Sequence, residues 1–127
     1  MRLVNRSAGR LPGDVVVTAR RITDILGEVI ARGESRPIDT FAAISVQGMI
    51  DDYLPTSMRG FLALDPSQLD VPQATGVTAV ESLREQLDVL LDSAREVRAA
   101  VWRDDANALT AQGEFLRAKF SRSDLDL

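Results

Sequence analysis

The sequence has no cysteine and no histidine, and only one lysine among its fifteen basic residues. Without a thiol there is no disulfide and no cysteine nucleophile. Without an imidazole there is no Ser-His-Asp triad and no histidine base. Zinc, copper and haem lose their usual ligands, so a resident metal would be a hard cation held by oxygen. No D-x-[DN]-x-[DN]-G loop offers such a cation a seat, and the G-x-x-x-x-G-K-[ST] and G-x-G-x-x-G phosphate loops are missing too. No cofactor is expected. Aromatic residues make up only 5% of 127 residues, which leaves the core to Leu, Val, Ile and Ala. No apolar run approaches the ~20 residues that a membrane-spanning helix needs.

The net charge of −4 is unevenly placed. Residues 1–36 carry seven arginines against Asp14, Asp24, Glu28 and Glu34, a net +3, and residues 37–127 carry −7. An acidic body argues against sequence-independent nucleic-acid binding, which rests on neutralising phosphates. The Arg-rich first third is the one stretch that could act as a nucleic-acid arm. The first ten residues are basic with no hydrophobic stretch behind them, so they are not read as a secretory signal. A cytoplasmic protein is the expectation.

Apolar residues recur at helical intervals, and no segment alternates with period two. Residues 1–13 read as a flexible lead-in. Asp14 is then expected to N-cap a first helix with an apolar stripe at Val15, Ala19, Ile22, Leu26 and Val29, widened by Ile25 and Ile30. Arg32-Gly33 closes it, the glycine taking the left-handed conformation. A second helix opens at Ser35-Arg36-Pro37 and buries Ile38, Phe41, Ala42, Ser45, Met49, Ile50 and Tyr53. Pro55 lacks the N–H that the carbonyl of Asp51 needs, so the helix kinks or restarts there. Asp65-Pro66 ends it, and residues 65–77 form the longest connection.

Thr78-Ala79-Val80-Glu81 has the S/T-x-x-E form of a capping box. A long third helix follows over about 79–103. Its seam, Val80, Leu83, Leu87, Leu90, Ala94, Val97 and Val101, holds a heptad register suited to packing against another helix. Asp104-Asp105 breaks and re-caps the chain. A last helix then runs through Leu109, Leu116 and Phe120, with Gly113 on its seam, where it either permits close approach or weakens the helix. The expected fold is all-α and four-helix bundle-like, a single domain over 14–121 with a polar tail at 122–127.

Chemistry-bearing constellations are sparse. Asp51-Asp52 and Asp104-Asp105 are adjacent pairs whose side chains diverge by about 100° in a helix, so neither shares a proton naturally. A carboxylate–arginine site would need Asp51, Asp52 and Arg59 to converge. A Ser–Lys dyad would need Lys119 to meet Ser82, Ser93 or Ser121. The candidate partner-binding residues are Leu83, Leu87, Leu90, Val97 and Val101 on the heptad face, with Trp102 beside them as either an interface anchor or a plug for the bundle's end. Asp52, Tyr53, Leu54 and Pro55 form a candidate recognition corner.

Two stretches also carry a resemblance. Asp52-Tyr53-Leu54-Pro55-Thr56-Ser57, followed by Phe61-Leu62-Ala63-Leu64-Asp65-Pro66, is similar to a "DYLP…YLxLP" turn. Gly113-Glu114-Phe115-Leu116-Arg117-Ala118-Lys119-Phe120 is similar to a "GxFLExKF" ending. Together, over residues 40–121, they resemble the helical region of the 5-bromo-4-chloroindolyl phosphate hydrolysis (XpaC-like) family and related actinobacterial proteins of unknown function. Ala118 stands where that pattern often has Glu, and Phe61 where Tyr is common. The resemblance implies a cytoplasmic helical protein tied to envelope or toxic-anion stress. It implies no catalytic residue here, because no matched position looks like a phosphatase site. The expected function is therefore non-enzymatic, through a homodimer or a partner helix. A carboxylate–arginine ligand binder and a nucleic-acid regulator are the alternatives.

Overall fold

The computed structural model describes residues 11–69, 71–72 and 76–121. The expected tail and the first ten residues of the lead-in lie outside them. The described chain is all-α, with α1 at Gly13–Ser35, α2 at Thr40–Gly48, α3 at Leu54–Leu62, α4 at Ala79–Arg103 and α5 at Ala106–Leu116. A π turn, Met49–Tyr53, joins α2 to α3 into one rod, and a second, Arg117–Ser121, extends α5. Four helical rods result, and the fold is four-helix bundle-like.

The apolar stripe of α1 is buried at Val15, Ala19, Ile22, Ile25, Leu26 and Val29, but Ile30 faces solvent. Asp14 does not cap this helix. The turn starts from Pro12, and the Asp14 carboxylate instead takes Arg84 of α4 in a forked pair, at 2.6 Å from Nε and 3.1 Å from Nη2. A charged fork 70 residues away competes for the same oxygens as the local N–H groups, and it wins here. The far end also runs past expectation. The helix reaches Ser35 and stops at an extended Arg36, while Gly33 keeps a negative φ and packs on Ile38.

Helix α2 starts later than Pro37 suggested. Asp39 is its N-cap, with the carboxylate accepting from Phe41 N–H at 2.7 Å. Phe41 was expected inside and is 48% exposed, while Val46 takes the core position. The interruption expected at Pro55 takes the form of the π turn just before it. Leu54 N–H reaches back five residues to Met49 O, and Pro55 falls in the first turn of α3, where a missing donor costs little.

The α4 boundaries match the sequence closely. Thr78 Oγ1 accepts from Glu81 N–H at 3.1 Å. At the other end Asp104 takes the left-handed conformation (φ 53°), with Asp105 N–H on Ala100 O and Asp104 N–H on Val101 O. That is a Schellman closure built on aspartate. Asp105 then caps α5 by accepting from Ala108 N–H. One two-residue turn both ends and starts a helix.

Helix direction follows from the cross-links. Asp14–Arg84 and Glu28–Arg98 advance together along α1 and α4, so these two helices run parallel. Gly113 lies against Ser45, and Phe120 stacks on Tyr53, so α5 runs parallel to the α2–α3 rod. Two helical hairpins therefore lie side by side, with α4 central: it packs on α1, α2, α3 and α5. The heptad seam faces inward from Leu83 to Val101, whereas Val80 is only half-buried and Ala79 takes the buried position in that turn. Leu87, Leu90, Ala94 and Val97 are fully buried.

The Asp14–Arg84 fork makes a pH prediction. The guanidinium holds the Asp14 carboxyl below its ordinary value, as the hydrogen bonds from Ser67 do for Asp65. A depressed folded-state pKa stabilises above the ordinary aspartate value of about 3.9 and is lost as pH falls through the depressed value. Asp14→Asn should therefore flatten part of the acid limb of a stability–pH curve below about pH 4, and leave the slope between pH 5 and 8 unchanged. Urea unfolding at a series of pH values measures it.

Candidate docking groove

The rods leave a groove of about 760 Å³ between α3, the first half of α4 and the last turn of the α5 rod. Its walls follow from local sequence. On α3, Leu54, Pro55 and Met58 turn into the core, so Thr56, Ser57 and Gly60 are left on the groove side, with Phe61 at its floor. On α4, Leu83 and Leu87 turn inward, which places Ser82, Glu85, Gln86 and Val89 along the opposite wall. Lys119 and Phe120 close the third side.

Tyr53 and Phe120 meet at one wall of the site. Their rings stack with centroids 5.2 Å apart and planes 24° from parallel. Gly48 makes room for this: a Cβ there would stand 3.2 Å from the Tyr53 ring. The two motif stretches singled out in the sequence are thus brought together in space. They meet at the groove between α3 and α4.

The candidate residues fare unevenly. Of the recognition corner, Asp52 and Tyr53 line the groove, whereas Leu54 and Pro55 are core. Of the partner-binding candidates, Leu87, Leu90, Val97 and Val101 are buried by the chain's own helices, and Leu83 reaches only the groove floor. A seam filled within one chain presents no face to a second. Trp102 neither plugs the end nor stands alone. It is 45% exposed, with the Arg32 guanidinium 4.5 Å from its ring centroid.

Asp51 accepts from Gln47, while Asp52 accepts from Thr56, so the adjacent carboxylates turn apart. Arg59 is exposed and does not line the groove. Ser82 and Lys119 both line it, but the Ser82 hydroxyl accepts from Gln86 Nε2 at 3.3 Å, and Ser93 is buried in the core. Among the described residues no cluster of acidic side chains could hold a metal ion. No helix among them is long and apolar enough to cross a membrane.

Comparison with family models, curated proteins and solved structures gives no match to the chain. The site has to be judged on its own chemistry.

A smaller cleft of about 480 Å³ at the opposite end mixes Arg32 and Arg36 with Asp39 and Asp104. Its charges balance, and Pro37, Ile38, Val101, Ala106 and Leu109 supply its apolar lining. Sequence reasoning missed Gly60, Phe61, Ser82, Glu85, Lys119 and Phe120 as neighbours of one groove. The signal for half of them was present, since the two motif stretches contain Phe61, Lys119 and Phe120.

Proposed function

We propose that the protein is a non-enzymatic, cytoplasmic helical module that acts by docking a segment of another protein in the α3/α4 groove. The observation that carries this reading is the Tyr53–Phe120 stack at the wall of an open, mainly apolar groove. Aromatic walls flanked by a few polar side chains are what interface anchors dock against. The resemblance to XpaC-like helical regions supplies a setting for such a module, envelope or toxic-anion stress.

Gly60→Trp tests the reading, because Gly60 lines the groove and a Cβ there meets nothing within 4 Å. Replacing a helical glycine also favours the helix, so the variant should unfold at or above the wild-type temperature. A displayed library of helical peptides is panned on the full chain, and the selected peptides are titrated onto both proteins. Selected peptides should bind Gly60→Trp at least about tenfold more weakly, a loss of ~1.4 kcal/mol. Equal affinity for both would refute the reading.

A further inference from the structure

We propose that the docked segment is a cationic amphipathic helix two to three turns long; this inference rests on the interaction reading above. Three observations converge on it. First, the described residues contain no strand and so no sheet edge to pair with an extended peptide. A segment entering an apolar groove must then satisfy its own backbone donors and acceptors, which a helix does. Second, the groove is bounded by two helical walls, and α3, nine residues long, runs for about 13 Å beside it. That length receives apolar anchors spaced i, i+4 and i+7.

The third observation is charge. Glu81, Glu85, Asp88 and Asp92 follow one another at helical spacing along an exposed stripe of α4, and Glu85 belongs to the groove wall. Of the α4 arginines, Arg98 is held by Glu28 of α1, and Arg84 is forked by Asp14 of α1 while also lying near Glu81. Asp92 keeps only a long contact of 3.8 Å to Arg95, and Glu85 and Asp88 enter no ion pair among the described residues. Asp52 puts a carboxylate on the other side of the groove, against the single cation Lys119. An apolar floor with carboxylates on both flanks is complementary to a helix with Lys or Arg on both sides of its apolar stripe.

The probes are a labelled Leu/Lys amphipathic helix and its Leu/Glu counterpart of the same length, titrated by fluorescence anisotropy onto the full chain. The Leu/Lys peptide should saturate at one per chain and bind at least tenfold tighter than the Leu/Glu peptide. Gly60→Trp and Glu85→Lys should each weaken it about tenfold. Equal binding of the two peptides overturns the proposal. So does loss on Glu85→Lys without loss on Gly60→Trp, which would mean adsorption to charge outside the groove. A tenfold gain of affinity in the full chain carrying Leu125→Ser and Leu127→Ser would assign the groove to the chain's own tail. A doubled molar mass in light scattering, abolished by Gly60→Trp, would assign it to a second copy. Either result defeats the proposal. The panning separates the two levels. Groove-dependent peptides of neutral or acidic composition retain the interaction reading and refute the cationic helix, and no groove-dependent peptide at all refutes both.

Discussion

Leu87→Asp unfolds the protein and does not yield a folded monomer. Leu87 is fully buried, one turn before Leu90 in a seam covered by the chain's own helices. An unpaired carboxylate there has no counter-ion and no water, and such burial costs several kcal/mol. Domains of this size are typically stable by about 5–15 kcal/mol, so one such change removes much or all of the margin. Had the seam been an intermolecular face, the same change would split a dimer and leave each chain helical. Far-UV circular dichroism with light scattering on one sample distinguishes the outcomes. Leu87→Ala gives a graded version, with a loss of about 2–5 kcal/mol in urea unfolding and retained helicity.

Gly113→Leu is the second large effect. Gly113 faces Ser45 where α5 lies against α2, and even a Cβ would stand 3.4 Å from the Ser45 hydroxyl. Ser45 is itself buried, so there is little room for it to retreat. Alanine is close to neutral there, because the gain from replacing a helical glycine, up to about 1 kcal/mol, offsets a tight contact. Leucine adds three further carbons to a filled interface, and overpacking of this kind costs about 1–3 kcal/mol. The same rod pair holds Phe120 on Tyr53, so groove binding should fall along with stability. Urea unfolding of the alanine and leucine variants side by side, with selected-peptide affinity measured on each, tests both consequences.

Much of the fold could be read from local pattern. The heptad seam of α4, the Thr78 cap and the Asp104-Asp105 turn all rest on residues within a few positions of one another, where helix periodicity and capping act. The misreadings share a different cause. Asp14 chose between nearby N–H groups and Arg84, and only the parallel packing of α1 on α4 decides that choice. Phe41 fits the helical period but falls just outside the face covered by α5 and α4, while Val46 falls inside it. Pro55 announced an interruption, yet the extra residue of the π turn that accommodates it left no mark in the sequence. The groove was the least legible feature. It arises where three rods meet, and Glu85, Gly60 and Lys119 become neighbours only after packing. The two motif stretches marked its walls without showing that they touch.

The central claim, that partners dock between α3 and α4, is tested most directly by photo-crosslinking in the full chain. A benzophenone amino acid replaces Ser57, which lines the groove, or Val17, an exposed residue of α1 that does not. Illumination with a panned peptide should give a covalent adduct from position 57 and none from position 17. An adduct from position 17, or none from position 57 at saturating peptide, would contradict it.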